Sequence, residues 1–154
     1  MLKQYLSQLY AYNDWANKKI LNLLEKNKVQ DEFCNKFFSH TINAQFIWHK
    51  RVSNLQNDYK IWDIWTHEQM TASLEDNYLK WQAYLAQVDE SELQRRISYQ
   101  NSAGDSFDNC VFDCVVHLVN HATYHRAQVA KRLRDIDIVP ENTDYITYCR
   151  VTGL

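Results

Sequence analysis

No glycine or proline occurs in this chain before Gly104, and only Pro140 and Gly153 follow it. Both residue types interrupt helices, one through backbone entropy and the other through its missing N–H. A chain of 154 residues so poor in them favours long helices and few tight turns. The apolar pattern agrees. Leu2, Leu6, Leu9, Ala16, Ile20, Leu23 and Leu24 recur at helical spacing and predict a first helix over residues 2–26. Asp31 is placed to N-cap a second helix that runs to about Leu55. Residues 56–65 form an aromatic connection too long for a tight helical hairpin. Thr66-His-Glu-Gln69 has the form of a capping box and opens a third helix, which runs to about Val88. Residues 96–107, with Gly104 in the turn, read as a short β-hairpin. A fourth helix spans about 108–134, and Pro140 bars its continuation. Four helices of this length must bury their apolar stripes against one another. The expected fold is therefore all-α: a four-helix bundle with a short β-hairpin between helices 3 and 4, in one domain over 1–154.

Composition excludes several functions. The formal net charge is −2 and no long basic block occurs, which argues against nucleic acid or an anionic membrane as partner. No stretch approaches the roughly 18 apolar residues of a membrane span. Residues 1–8 lack the apolar core of a signal peptide, so the expected location is cytoplasmic. Cys34, Cys110, Cys114 and Cys149 are then expected to stay reduced. Cys110 and Cys114 fall four apart on the expected fourth helix, where a mutual disulfide is geometrically poor, and both read as small hydrophobes. The chain has no Gly-rich phosphate loop, no Gly-x-Ser-x-Gly elbow and no Glu-x-x-His pair of the kind that builds a carboxylate-bridged di-iron site. Trp48, Trp62, Trp65 and Trp81 read as core or interface residues.

The histidines are distributed unevenly. Half of the 6 lie in one run, His117-Leu-Val-Asn-His121-Ala-Thr-Tyr-His125. Residues four apart share a helix face, and neutral imidazole is the commonest metal ligand. One ion cannot take all three, because His117 and His125 stand about 12 Å apart along the axis while zinc–nitrogen bonds are about 2.0–2.1 Å. The pair is His117/His121 or His121/His125, and spacing alone leaves the two equal. A third ligand must come from another helix. With His40 at zero on the second helix, Phe33, Phe37, Ala44, Ile47 and Leu55 all fall within about 60°, so His40 sits in the apolar face. His49 lies about 180° away and is expected to touch solvent or a partner chain.

Several segments together resemble one family. Tyr12-Asn-Asp-Trp15-Ala-Asn in the first helix, Ser39-His40-Thr-Ile42 followed by Trp48 and Arg51 in the second, and Asn120-His121-Ala-Thr-Tyr-His125-Arg126-Ala-Gln128 in the fourth resemble the motifs of the DinB/YfiT-like superfamily, in order and over nearly the whole chain. Ala127 departs from the usual glycine of the last motif. The resemblance implies a bundle with an unusual helix order and long crossovers, and a metal triad of His40, His121 and His125. It thereby chooses His125 over His117 and leaves the role of His117 open. It also implies one divalent transition metal ion, zinc first, with nickel, iron and manganese also suited to imidazole. The implied activity is activation of a thiol or water for transfer to a small electrophile, as in members that use a low-molecular-weight thiol. The alternative is a non-enzymatic, metal-binding stress-response bundle acting as a homodimer. Arg126 and Gln128 are expected to orient either substrate or structure.

Overall fold

A computed structural model describes residues 1–101 and 103–154; Ser102, in the hairpin turn expected from the sequence, lies outside the described residues. Four long helices form the bundle: α1 (Leu2–Lys26), α2 (Glu32–Val52), α3 (His67–Gln87) and α5 (Val111–Asp135). Two short helices, α4 (Glu90–Gln94) and α6 (Tyr145–Thr152), and an antiparallel pair, β1 (Arg96–Gln100) and β2 (Ser106–Cys110), complete the described elements.

Local chemistry sets the boundaries. The Asp31 carboxylate accepts from the Cys34 amide at 2.9 Å and starts α2. Thr66 and Gln69 close a reciprocal capping box at the head of α3. Gly104 adopts φ +90, which favours glycine, inside the turn between the strands. The α2 helix stops at Val52 rather than near Leu55, and Leu55 is exposed, as is Phe33 at the other end. The α5 helix begins at Val111 because β2 continues through Cys110; Cys110 therefore stands at the N-cap position, before the helix, without a side-chain cap hydrogen bond. All four cysteines are free.

The bundle order follows from which residues meet. The α1 helix packs on α3 and α5, and α2 packs on the same two, so α1 and α2 sit diagonally although they are consecutive. Asn35 meets His67, Asn77 reaches the Ile42 carbonyl and Trp81 reaches the Gln45 carbonyl, so α2 and α3 run parallel. Parallel neighbours need a connection that returns the full length of the bundle. Residues 53–66 supply it, since 14 extended residues can span about 46 Å against about 31 Å for a 21-residue helix. This crossover is laced back along α2. Tyr59 stacks on Phe46 at 4.4 Å, Asn43 donates to the Asp63 carbonyl, and the Trp65 amide donates to Ser39.

Apolar packing fills the interior around Leu6, Tyr10, Trp81, Leu85, Val115 and Leu118 at one end, and around Ile20, Leu24, Phe38, Ile42, Leu74 and Val129 at the other. Between them lies a buried polar layer. Arg126 of α5, 2% exposed, donates to Asn13 and Asn17 of α1 at 2.8 Å each and to Thr123 at 2.8 Å. Asn13 and Tyr10 in turn donate to Gln45 of α2. This layer fixes the rotation of α5 against α1 and α2, and so fixes where His121 and His125 point. Among the described residues no helix is long and apolar enough to cross a membrane.

Candidate metal centre

His40 comes from the middle of α2, and His121 and His125 from successive turns of α5, the helix packed against it. Nε2 of His121 lies 3.2 Å from Nε2 of His40 and 3.1 Å from Nε2 of His125. Ligand atoms of the three residues all fall within 4.8 Å of one another. Nitrogens bound to one tetrahedral zinc at 2.0–2.1 Å would be roughly 3.3–3.4 Å apart, so the spacing is already close to that of a shared ion.

The tautomers favour the same arrangement. Nδ1 of His40 faces the Ile61 carbonyl at 3.1 Å, and a carbonyl can only accept. The proton is therefore on Nδ1, and Nε2 presents a lone pair. Nδ1 of His125 faces Oε1 of Gln128 at 2.7 Å, with the same consequence. His121 can donate one proton from Nε2 and so can satisfy only one of these two lone pairs. A cation at the centre satisfies all three nitrogens. Nδ1 of His121 is buried and has no hydrogen-bond partner in the protein.

Burial keeps the imidazoles neutral. It lowers the pKa of His40 to about 4, with His125 adding repulsion and the Ile61 carbonyl partly opposing. It lowers His121 to about 3, with repulsion from His125, His40 and His117 adding to the effect. His125 is also lowered by burial, partly opposed by the hydrogen bond it donates to Gln128. Neutral imidazole is the form that binds metal, so the site needs little deprotonation at neutral pH.

One side of the cluster opens to a cleft of about 430 Å³ whose lining includes His40, His121, Trp48, Arg51, Tyr59 and Gln100. On another side the Trp62 ring stacks on His40 at 4.0 Å and 13°, and Phe37 packs on His125 at 5.6 Å. Among the described residues these three histidines are the one such group of His, Cys, Asp and Glu that could hold a metal ion.

The remaining sequence candidates fall elsewhere. His117 is exposed, packs edge-on against Trp48 at 5.2 Å and lines a separate cavity of about 180 Å³ with Tyr99, Asn109 and Asp113. His49 does not stand in open solvent. It is half-buried against Trp81 and Tyr84, because the side of α2 opposite His40 is covered by α3. Arg126 belongs to the buried layer, and Gln128 is the residue that orients a site histidine. Two parts of the site carry no sequence signal: the stack of Trp62, which is 48% exposed, on His40, and the Ile61 carbonyl, a backbone group.

Fold and site together define an all-α bundle with a three-histidine cluster, fed by a cleft, that could hold a metal ion. The model of the DinB family matches residues 1–153, and the chain belongs to that family. Among curated proteins it is similar to Protein DinB of Bacillus subtilis (strain 168), at 25% identity over 172 aligned positions that cover 98% of this chain and 97% of the relative.

Proposed function

We propose that this chain is a metal-dependent enzyme that activates a thiol or water for transfer to a small electrophile, with one divalent transition metal ion held by His40, His121 and His125. The observation that carries this reading is the convergence of three Nε2 atoms, two of them with their protons fixed on Nδ1, beside a cleft. Three histidines and an open position are the layout of catalytic zinc sites, whereas structural sites take four protein ligands. His40, His121 and His125 would hold the ion, which would supply a lowered pKa to a coordinated thiol or water. Ile61 and Gln128 hold the rings of His40 and His125 in the binding orientation. Trp62 and Phe37, which pack on the rings of His40 and His125, cover part of the cluster. A non-enzymatic bundle would be expected to have a fourth ligand and no cleft, and the described residues favour neither feature.

A thiol-transfer assay with a model electrophile, run on zinc-loaded protein with and without chelator, tests the proposal. Chelator-sensitive turnover that His121→Ala abolishes is expected. Loaded protein that gives no chelator-sensitive turnover with thiol or water as nucleophile would overturn it.

A further inference from the structure

Arg51 lies on the same face of α2 as His40. The two are eleven residues apart, which returns the wheel to within about 20° after three turns. Both line the same cleft, and Arg51 carries the one formal charge among the described residues that line it. Its guanidinium lies 4.6 Å from the Trp48 ring and 4.6 Å from the Tyr99 ring, so two aromatic faces fix its plane. Stacking on Trp48, one turn earlier in the helix, shows that the side chain leans toward His40, as helical side chains do. Its Nη2 donates to the Gln100 carbonyl at 2.9 Å, and it takes part in no ion pair among the described residues. A guanidinium has five N–H donors in a rigid fork suited to a carboxylate. Here it is half-buried, pre-oriented and without a counter-ion at the wall of the cleft that ends at the histidines.

We propose that Arg51 binds an anionic arm, a carboxylate, of the small molecule whose other end reacts at the histidine cluster. Trp48 lies eight residues from His40, so the arm is held about 12 Å along the helix from the triad. The substrate class is thus an extended molecule with a nucleophilic or electrophilic group at one end and a carboxylate at the other. Gln100 and Asn101 of the hairpin and Asn57 of the crossover supply neutral hydrogen-bonding groups along the way. This inference rests on the metal-centred reading above for the reacting end and stands on Arg51 alone for the anionic end.

The test is calorimetric titration of wild-type protein, Arg51→Gln and Arg51→Lys with mercaptooctanoate and with mercaptooctanol, in zinc-loaded and metal-free forms. Wild-type protein is expected to prefer the carboxylate by about 10-fold or more, in keeping with charge-assisted hydrogen bonds, in both metal states. Arg51→Gln is expected to reduce that ratio to about 1 while binding the alcohol as wild type does, and Arg51→Lys to keep part of it. Thermal melting and zinc content near wild-type values show that the variants fold. A ratio near 1 in wild type, a ratio that survives Arg51→Gln, or no binding of either compound would overturn the proposal. Octanoate separates the two readings. If it binds zinc-loaded protein as tightly as mercaptooctanoate, the thiol reading fails while the Arg51 assignment stands.

Discussion

His125 and Gln128, one turn apart on α5, form the shortest hydrogen bond within the site, Nδ1 to Oε1 at 2.7 Å. The bond fixes the tautomer that turns the His125 Nε2 lone pair toward His121. Outer groups of this kind typically contribute 10- to 100-fold to metal affinity. Gln128→Leu is expected to weaken zinc binding by about that factor and to leave the helix content unchanged. Competition with a chromophoric chelator measures the first and circular dichroism the second.

Protons compete with the fold at this cluster when no metal is bound. The unfolded chain protonates its histidines near 6.5, whereas in the folded state His40 titrates at about 4 and His121 at about 3. Above pH 6.5 both states are neutral there and the cluster adds no pH dependence. Below it the unfolded state binds more protons, so stability falls as pH drops from about 6.5 toward 3. Metal-free protein should show a lower urea midpoint at pH 5 than at pH 7, and His121→Ala should narrow the gap. Parallel shifts in the two proteins would contradict the assignment.

Arg126 is a buried charge held by neutral groups, two asparagine oxygens and a threonine hydroxyl. Arg126→Ala leaves the Asn13 and Asn17 oxygens unpaired, while Thr123 keeps its bond to the Val119 carbonyl, and it opens a cavity between α1 and α5. A loss of about 2–4 kcal/mol in urea unfolding is expected. Zinc affinity should fall with it, because the same contacts aim His121 and His125.

Trp62 is half exposed and touches the site through its stack on His40. Trp62→Ala should change stability by less than about 1 kcal/mol, as an exposed substitution does, yet speed zinc release to excess chelator several-fold. Stopped-flow measurement of that release distinguishes a shield from a bystander.

Much of this was legible because helices repeat. The span of α1, the Asp31 cap, the Thr66 capping box and the Gly104 hairpin are local, and local rules place them. His40 was readable as an inward residue from its wheel. The pairing of His121 with His125 rather than His117 was not, since both choices satisfy helical spacing; the resemblance decided it, and the structure brings that pair to His40. What the sequence hid depends on partners distant in the chain. His49 looked outward on its own helix, but the parallel α3 covers that side with Trp81 and Tyr84. The crossover's hold on α2, through Ser39, His40 and Asn43, uses backbone groups of residues 61–65 that no side-chain pattern announces. The short α4 and α6 helices were missed because 5 and 8 residues are too few to show a period.

The central claim is that His40, His121 and His125 together hold one metal ion. Elemental analysis of purified wild-type protein beside His40→Ala and His121→Ala, after equilibration with zinc and removal of the excess, tests it most directly. The account predicts about one ion per chain in wild type and far less in either variant, with His117→Ala unchanged. Equal metal content in wild type, His40→Ala and His121→Ala would contradict it.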